Sequence, residues 1–423
     1  MKRVLVLLLL VLTYRAFAQH KTDVLVVGAS ASGVSAAIQA ARSGVKAVLL
    51  NEGSQVIGNN LPEMDVPAFN LGFWKEWQDS CKTDSVNKDP RAVLENRFLK
   101  KTKDLKYLSS SKILSVKEKG KTWVVEIERN GKKEDIKCKV IVDATFSAEE
   151  EILDRFKLLP LKNGKIDAVA SFETTQKLNP YGSYAKLYRT SIAAGYGTSK
   201  DSVYYFPIGA FIAKAKPTIL VANFTAGLNQ VDNQNLQNLA TWTNIGQSIG
   251  ALAAYGPFFN TTADKANTRM VQGEAFTFKS FIYPVTDVSE EDFAFSSIQR
   301  IIGSQILTHD FVSGKFNPEG MVNKNDIKDI LSELHPRSRI WFIENPNVSD
   351  LSVKDAVSLI SFIGGKEVYT IEDELKRNWR EKFKLQSEYV LDKAITRKEM
   401  AILMNLYLDP FSVRVNMQGL FIK

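Results

Sequence analysis

The sequence predicts an α/β protein in which an N-terminal parallel sheet is followed by a β-rich lobe and a mainly helical C-terminal region. Three observations carry this prediction. Residues 23–50 contain a short apolar strand, a turn of small residues, a helix and a second apolar strand, which is the pattern of one βαβ unit. Strand patterns dominate residues 107–145 and 166–223. Beyond Pro284 the sequence becomes charged and has the spacing of helices.

The elements that follow the βαβ unit extend this architecture. Residues 114–129 alternate apolar and polar side chains on either side of Gly120, which indicates a hairpin. Residues 139–144 form a further buried strand, and the apolar run 218–222 another. Residues 245–255 are rich in glycine and alanine at helical spacing, so that we expect a helix that packs closely on its neighbours.

The first 18 residues have the composition of a secretory signal. Lys2 and Arg3 precede the apolar run 4–12, and Ala-Phe-Ala at 16–18 fits the A-x-A pattern of a cleavage site. A membrane anchor is the alternative, but the run is much shorter than the roughly 20 apolar residues that span a bilayer. We therefore expect an exported protein of the periplasm, the cell envelope or the extracellular space, and not an integral membrane protein.

The charge of the chain argues against one class of partner. The formal net charge is +8 at pH 7, and it falls to +5 when Lys2, Arg3 and Arg15 leave with the signal. The remaining lysines are mixed with acidic residues, whereas a nucleic-acid site needs basic residues gathered on one face. We therefore expect no nucleic-acid partner.

The two cysteines, Cys81 and Cys138, are distant in sequence and form no C-x-x-C motif, which argues against a dithiol redox site. Disulfides persist in exported proteins, so that a bridge between these two residues is one alternative. Two unpaired, buried thiols are the interpretation that we favour.

The turn after the first strand has the pattern of a phosphate-binding loop. Residues 28–33 read Gly-Ala-Ser-Ala-Ser-Gly, a G-x-S-x-x-G version of the G-x-G-x-x-G fingerprint. Gly28 permits a tight turn, Gly33 permits close packing of helix and sheet, and the helix directs its positive end at a pyrophosphate. Ser30 replaces the middle glycine, and its hydroxyl either bonds a phosphate or crowds it.

An acidic residue completes this pattern. Glu52 ends the second strand about 20 residues after the turn, where a carboxylate accepts hydrogen bonds from a ribose diol. The order of strand, turn, alanine-faced helix, strand and acid predicts a Rossmann-type domain that binds a dinucleotide. The alternative is a Rossmann-like domain that no longer binds a nucleotide. This unit alone does not decide between FAD and NAD.

Four further segments, in the same order, resemble a bacterial family of FAD-dependent oxidoreductases with the glutathione-reductase-type FAD fold. They are the loop and helix at 57–60 and 72–77, Asp-Ala-Thr-Phe-Ser-Ala-Glu at 143–149, Tyr-Tyr-Phe-Pro-Ile-Gly-Ala at 204–210, and Ile-Gly-Gln-Ser-Ile-Gly-Ala-Leu-Ala-Ala at 245–254. The sequence departs from the family pattern at Ala148 and Glu149, where the family has glycine and aspartate.

The resemblance covers most of residues 23–260 and implies that the cofactor is FAD and that the substrate is a small organic molecule. It also implies that the later segments contribute to the cofactor site together with the turn and the acid. The candidate cofactor-binding residues are Gly28, Ala29, Ser30, Ser32, Gly33, Glu52, Thr145, Glu149, Gly246 and Gln247.

The sequence identifies no catalytic residue and no metal site. His20 lies near the mature N-terminus, and His309 and His335 lie beyond the FAD-like region. A flavin carries the chemistry of hydride transfer itself, so that no triad is required. A second G-x-G-x-x-G unit for NAD(P)H is absent, which favours direct reduction of the flavin by an organic substrate. Six residues are possible proton donors, and we favour a packing role for them. They are Tyr181, Tyr184, Tyr188, Arg189, Tyr204 and Tyr205.

These patterns divide the chain into three parts. They are a signal peptide at 1–18, an FAD-binding oxidoreductase-like domain at 19–265 with its β-rich lobe at about 160–220, and a helical module at 284–423. Residues 284–335 resemble an S-layer homology repeat, and Ile-Thr-Arg-Lys-Glu-Met-Ala at 395–401 is similar to the Thr-Arg-Ala-Glu signature of that repeat. The resemblance implies attachment to a cell-envelope glycan, whereas a helical cap over the FAD-like domain is the interpretation that we favour.

The favoured function is that of an exported, FAD-dependent oxidoreductase with an organic substrate that the sequence does not identify. The alternative belongs to another class: a non-enzymatic cell-envelope or glycan-binding protein built on a degenerate Rossmann scaffold. The flavin content of the purified protein distinguishes the two.

Overall fold

The computed structural model describes residues 19–57, 68–84, 89–146, 151–170, 178–182, 184–197, 203–228, 238–311 and 313–422. The predicted signal at 1–18 and the candidate residue Glu149 lie outside these ranges. Two hydrophobic cores organise the described residues, one around a parallel sheet and one among the C-terminal helices. The structure confirms the predicted α/β class with a helical C-terminal region.

The described residues form strands in four sheets. The strands are β1 (Gln19–Lys21), β2 (Val24–Val27), β3 (Ala47–Leu50), β4 (Leu105–Leu108), β5 (Lys112–Lys119), β6 (Thr122–Arg129), β7 (Lys132–Cys138), β8 (Val140–Asp143), β9 (Leu161–Lys162), β10 (Lys165–Ile166), β11 (Ser191–Tyr196), β12 (Val203–Pro207) and β13 (Ile219–Val221).

A five-stranded parallel sheet forms the centre of the N-terminal part, with the spatial order β13-β8-β2-β3-β4. Every residue of β2, β3, β8 and β13 is buried, because helices or loops cover both faces, and this explains why these strands are continuous apolar runs. A second sheet contains the predicted hairpin of β5 and β6 together with β7 and β1. The predicted β-rich lobe contains two small sheets, β9 with β10 and β11 with β12.

The helices are α1 (Ala31–Arg42), α2 (Gly72–Thr83), α3 (Pro90–Val93), α4 (Ile152–Arg155), α5 (Ala185–Tyr188), α6 (Leu239–Phe259), α7 (Thr268–Thr277), α8 (Phe295–Gly303), α9 (Lys324–Leu334), α10 (Ser338–Glu344), α11 (Val353–Gly364), α12 (Val368–Asn378) and α13 (Arg397–Tyr407). A π-helical segment occupies Leu94–Leu99, and 3₁₀ turns occupy Ile208–Phe211, Ala263–Lys265 and Pro410–Ser412. Within the described part of the chain, no helix is both long and apolar enough to cross a membrane.

Helices α1 and α6 pack against each other more closely than ordinary side chains permit. A β-carbon at Gly246 would overlap the main-chain oxygen of Ser32, and one at Gly250 would overlap that of Ala36. The predicted small-residue helix therefore exists, although it begins earlier, at Leu239, than the pattern at 245–255 indicates. The two glycines allow the backbones of the helices to meet.

Three segments that each lead into a helix of the C-terminal region are joined by a closed ring of three main-chain hydrogen bonds. The N–H of Val322 donates to the carbonyl of Ile395 (3.2 Å), that of Ile395 to Leu351 (2.8 Å), and that of Leu351 to Val322 (2.9 Å). The residue after each of these is the N-cap of α9, α11 or α13, and the three caps are Asn323, Ser352 and Thr396. The two segments that resemble an S-layer homology repeat thus meet in this ring, and α11 adds a third unit that the sequence analysis missed.

The C-terminal helices share buried polar contacts with the N-terminal part, and we call this surface the junction. Arg189, which follows α5, forms an ion pair with Glu333 of α9 (3.1 Å) and lies over the ring of Phe421. Arg269 of α7 donates to the carbonyl oxygen of Gly303 at 3.1 Å. The side chains of both arginines are almost fully buried, so that the C-terminal region packs as part of the same fold.

Both cysteines are free in the structure, as the favoured interpretation stated, but the prediction that both are buried is wrong for Cys81. Cys138 is buried at the end of β7, and Cys81 is partly exposed in α2. Burial raises the pKa of both thiols, and neither is therefore activated as a nucleophile at neutral pH.

Candidate functional site

The carboxyl edge of the parallel sheet is formed by the residues that follow β2, β3, β8 and β13, and the predicted glycine turn (residues 28–33) lies at its centre. Gly28 has a φ of +96°, and a β-carbon there would lie 2.7 Å from the main-chain oxygen of Ala144. A β-carbon at Gly33 would overlap the main-chain oxygen of Gly28. Both positions therefore require glycine, one for its conformation and both for the close approach of α1 to the sheet.

The two serines of the glycine turn bond to the neighbouring loops. Ser30 is the N-cap of α1; its hydroxyl oxygen accepts from the Gly33 N–H (3.1 Å), and the hydroxyl donates to the carbonyl of Ala144 (2.7 Å). The hydroxyl of Ser32 donates to the carbonyl of Ala222 (2.6 Å). These bonds hold the turn against the ends of β8 and β13, and they direct the Ser30 hydroxyl at a carbonyl of the neighbouring loop.

The ends of β8 and β13 carry the same local motif. The Oδ1 atom of Asp143 accepts from the N–H (3.1 Å) and the hydroxyl (2.7 Å) of Thr145. Asn223 holds Thr225 in the same way, at 2.9 and 2.7 Å. Thr145, a predicted site residue, is therefore fixed by its neighbouring strand end. The sequence analysis did not select Asp143 or Asn223, although Asx-x-Thr after an apolar strand was a readable signal.

Each of these two Asx side chains has a second polar atom that is buried and has no hydrogen-bond partner among the described residues: Oδ2 of Asp143 and Nδ2 of Asn223. The exposed fractions of the two residues are 0% and 1%. Burial raises the pKa of Asp143 to about 7, because desolvation disfavours the charged form more than its bonds to Thr145 favour it. Two neighbouring strand ends thus retain unused hydrogen-bonding capacity at the carboxyl edge.

Glu52 lies where the ribose-binding acid was predicted, directly after β3. One carboxylate oxygen accepts from the main-chain N–H of Ile113 (2.7 Å), and the other accepts from the guanidinium of Arg155 (2.6 Å). The exposed fraction of the Glu52 side chain is 18%, so that the carboxylate remains open to solvent on one side. The sequence analysis did not anticipate Arg155.

Gly246 and Gln247 occupy different surroundings on α6. Gly246 packs against the beginning of α1, beside the glycine turn. The side chain of Gln247 accepts from the N–H of Phe73 (3.0 Å) and donates to the carbonyl of Phe278 (2.9 Å). In the structure Gln247 therefore fixes the start of α2 and the end of α7.

Three aromatic rings lie at the carboxyl edge beyond β8 and β13. Phe146, Phe224 and Trp242 pack edge to face, with centroids 5.0 to 5.2 Å apart. Phe146 remains 38% exposed, whereas Trp242 in the first turn of α6 is buried. This aromatic cluster was not anticipated, because it joins residues almost 100 positions apart.

The candidate proton donors lie mainly at the junction. Tyr188 and Tyr205 are buried in the C-terminal core, and the hydroxyl of Tyr205 lies 2.8 Å from Nε2 of His309. Arg189 pairs with Glu333, and Tyr181 bonds to Thr308 (2.5 Å). Tyr204 belongs to the first core, and Tyr184 is partly exposed. The contacts of Tyr181, Tyr188, Tyr205 and Arg189 match the packing role that was favoured.

The carboxyl edge provides what a bound dinucleotide requires. The glycine turn lets a ligand approach the backbone, and the first N–H groups of α1 lack intrahelical acceptors. Glu52 lies on one side of this turn, and the unused polar atoms of Asp143 and Asn223 lie on the other. The described residues therefore fit a ligand with a diphosphate at its centre and hydroxyl groups on its ribose.

Comparison with known protein families gives one match: residues 23–149 match the family described as FAD dependent oxidoreductase. This segment contains β2, the glycine turn, α1, β3 with Glu52, and β8 with Thr145. Among curated proteins no match was found.

Solved structures show remote similarity. L-proline dehydrogenase from P. horikoshii has a TM-score of 0.30 and 15% identity over 64% of this chain and 62% of its own, so that this chain spans less than two thirds of that enzyme. A geranylgeranyl bacteriochlorophyll reductase-like protein from Thermoplasma acidophilum has a TM-score of 0.36 and 11% identity over 77% of this chain and 100% of its own. Because these likenesses are remote, they carry no argument about function. Residues 23–149 are similar to the FAD dependent oxidoreductase family, and this match supports FAD as the cofactor.

Proposed function

We propose that this protein is an exported oxidoreductase that binds FAD at the carboxyl edge and oxidises a small organic molecule. The observation that carries the proposal is the glycine turn, which stands between Glu52 and the Asp143 and Asn223 strand ends. The turn, Glu52 and Asp143 lie within the segment that matches the family. FAD, when bound, supplies the acceptor for a hydride. The chain supplies the close backbone approach, the N-terminus of α1 and the carboxylate that orient the dinucleotide.

FAD binding by the mature chain is the first test. Residues 19–423 are purified with FAD, free flavin is removed, and the visible spectrum gives the flavin content. We expect flavin bands close to one equivalent per chain. A folded, colourless protein that takes up no added FAD would contradict the proposal and favour the scaffold alternative.

A matched pair of glycine variants assigns this binding to the glycine turn. Gly28 and Gly44 both have positive φ angles, +96° and +87°, but only a β-carbon at Gly28 meets other atoms within 4 Å. In both G28A and G44A the alanine must adopt a positive φ angle, which costs about 1 kcal/mol of stability. Only G28A adds overlap with Ala144 at the carboxyl edge. We expect G28A to bind FAD at least about tenfold more weakly than wild type, and G44A to bind FAD with wild-type affinity.

Direct reduction by an organic substrate is the second part of the proposal. It is supported by the sequence, which has one glycine fingerprint and no second G-x-G-x-x-G for a nicotinamide dinucleotide. Anaerobic mixing of the flavin-loaded protein with NADH, NADPH and a panel of small organic donors tests it. Flavin bleaching by an organic donor, with slow or no bleaching by NAD(P)H, is the expected result. Rapid bleaching by NADPH would overturn this part.

Export is supported only by the pattern of residues 1–18. Expression of the full chain and of residues 19–423 in a bacterial host, followed by cell fractionation, tests it. We expect the full chain outside the cytoplasm with an N-terminus near residue 19, and the shortened chain inside the cytoplasm. Retention of an uncleaved full chain in the cytoplasm would contradict export.

We propose cell-envelope glycan binding by the C-terminal helices as a second candidate function. The observation in its favour is the ring of Val322, Leu351 and Ile395, since both segments that resemble an S-layer homology repeat meet there. The test is sedimentation of the whole mature chain with purified cell walls, because the junction makes the C-terminal helices part of the same fold. Cosedimentation that soluble wall glycan abolishes is expected, and a chain that remains in the supernatant would exclude this function.

A further inference from the structure

The ion pair between Glu52 and Arg155 joins two strand ends that are not neighbours in the sheet. Glu52 follows β3, and Arg155 ends α4 after β8. Strand β2, which leads into the glycine turn, lies between β3 and β8 in the sheet order. The contact of 2.6 Å therefore spans the carboxyl edge at the turn itself.

The guanidinium of Arg155 is held on two sides. Its nitrogen contacts Oε2 of Glu52, and its carbon lies 4.7 Å from the centre of the Phe156 ring. The exposed fractions of the Arg155 and Glu52 side chains are 29% and 18%. This pair is consequently better ordered and less hydrated than a fully exposed ion pair.

The contacts of Glu52 leave its carboxylate capable of binding a diol. Each oxygen of a carboxylate has two lone pairs. One oxygen accepts from the Ile113 N–H and the other from Arg155, so that each retains, among the described residues, a lone pair for a ribose hydroxyl. The two existing bonds fix the plane of the carboxylate.

We propose that Arg155 is a positioning residue of the cofactor site, which holds the carboxylate of Glu52 oriented for the ribose of the adenosine end. This inference rests on the proposed FAD site and adds to it a residue outside the segment that matches the family. Arg155 acts through Glu52, so that its contribution concerns the ADP half of FAD and not the flavin ring.

The test compares ligands that contain or lack the adenosine end. The affinities of the mature chain for FAD, ADP and riboflavin are measured by calorimetry for wild type, R155A and R155K. We expect R155A to weaken FAD and ADP binding by the same factor, about tenfold, and to leave riboflavin binding unchanged. R155K keeps a positive charge within reach of Glu52 and should restore affinity to within about threefold.

Two further variants make the test specific. R42A removes another arginine–glutamate contact, the two-bond pair of Arg42 with Glu76 (3.1 and 2.8 Å), which does not involve the residues of the carboxyl edge. We expect R42A to bind ADP like wild type. In the double variant E52Q/R155A we expect no loss beyond that of E52Q, because Arg155 acts through Glu52.

The outcomes separate this inference from the proposed function. Unchanged ADP affinity in R155A, with a lower Tm, would mean that Arg155 only stabilises the fold and would overturn the inference. Tighter ADP binding in R155A would mean that the side chain covers the groove, and it would also overturn the inference. In both cases FAD binding by wild type leaves the proposed function intact. A wild-type chain that binds neither FAD nor ADP would overturn the proposed function and the inference with it.

Discussion

The carboxyl edge of the sheet and the junction with the C-terminal helices both bury polar side chains, but they use them differently. At the carboxyl edge the buried groups are short, and they bond loops that lie next to each other. Oδ2 of Asp143 and Nδ2 of Asn223 remain without partners among the described residues. At the junction the buried groups include Arg189 and Arg269, which reach main-chain carbonyls and side chains of several distant elements.

This difference indicates how the chain divides its polar groups between binding and stability. Short side chains at the strand ends fix the loops and leave two polar atoms, Oδ2 of Asp143 and Nδ2 of Asn223, without partners among the described residues. Long, charged side chains at the junction satisfy carbonyl groups that the packing of helices would otherwise leave unpaired. Substitutions at the junction should therefore cause the largest losses in the free energy of unfolding, whereas substitutions at the carboxyl edge should change ligand affinity or the pH dependence of stability, with smaller losses of stability.

Replacement of Arg269 should give the largest loss of stability. Its guanidinium is 5% exposed, donates to Gly303 O (3.1 Å) and to the side chain of Gln272 (2.9 Å), and lies 4.2 Å from the ring of Phe411. R269A leaves these acceptors buried and unpaired, so that we expect a loss of about 3–5 kcal/mol in the free energy of unfolding. Urea denaturation of the protein purified without FAD measures it.

The partly exposed arginine of the Arg42–Glu76 pair provides the control for this prediction. R42A should cost less than about 1 kcal/mol, because water replaces its contacts. The R269A protein that remains folded should bind FAD with wild-type affinity. A loss of FAD affinity in folded R269A, without a large loss of stability, would contradict the division between the two regions.

Much of the carboxyl edge could be predicted because its signals are local in sequence. The glycine turn, the strand before it and Glu52 follow from spacing within 30 residues, and the structure has them in these places. Arg155 could not be predicted, since its partner is 103 positions away and nothing in α4 marks the contact. The aromatic cluster depends in the same way on the order of strands β8 and β13 in the sheet.

In the C-terminal region, too, long-range contacts could not be predicted from the sequence, whereas one local pattern could have been. Arg189 was considered as a proton donor, but its ion pair with Glu333 depends on how α9 packs, which local spacing does not encode. The third unit of the ring was readable. Ser352 and Asp355 form a capping box before an apolar helix, as Thr396 and Glu399 do. The three helix starts share one local pattern, a polar N-cap that follows a buried apolar residue.

Replacing Asp143 by Asn should change the pH dependence of stability. The folded pKa of Asp143 is raised by burial from 3.8 to about 7, so that the folded protein binds the proton more tightly than the unfolded chain. The wild type should therefore lose stability as the pH rises from about 4 to 7, and remain at the lower value above pH 7. D143N keeps the Oδ1 acceptor for Thr145 and has no proton to lose. We expect D143N to gain roughly 2–4 kcal/mol over wild type at pH 8 and almost nothing at pH 4.

Asn223, at the end of the neighbouring strand β13, allows the opposite substitution to be tested. Asn223 already occupies the same motif without a charge, which shows that an amide fits such a position. N223D should acquire the pH dependence that D143N loses, with lower stability at pH 8 than at pH 4. Urea denaturation at both pH values, without FAD, checks the pair. Parallel pH profiles for wild type and D143N would show that Asp143 does not titrate in this range.

The smallest effect on stability and ligand affinity is expected at Ser30, whose side chain fixes a neighbouring loop and lies in the predicted phosphate-binding turn. Its hydroxyl caps α1 and bonds the carbonyl of Ala144, so that S30A should cost about 1 kcal/mol in stability, and S30G, which restores the usual glycine, a few tenths. S352A removes the N-cap of α11 and provides the control for the loss of a cap away from the carboxyl edge. Because the Ser30 hydroxyl is directed at a carbonyl, we expect FAD affinity to change less than threefold in all three variants, measured by flavin fluorescence. Tenfold tighter binding in S30G would show that the hydroxyl crowds the phosphate, and tenfold weaker binding in S30A would show that it bonds the phosphate.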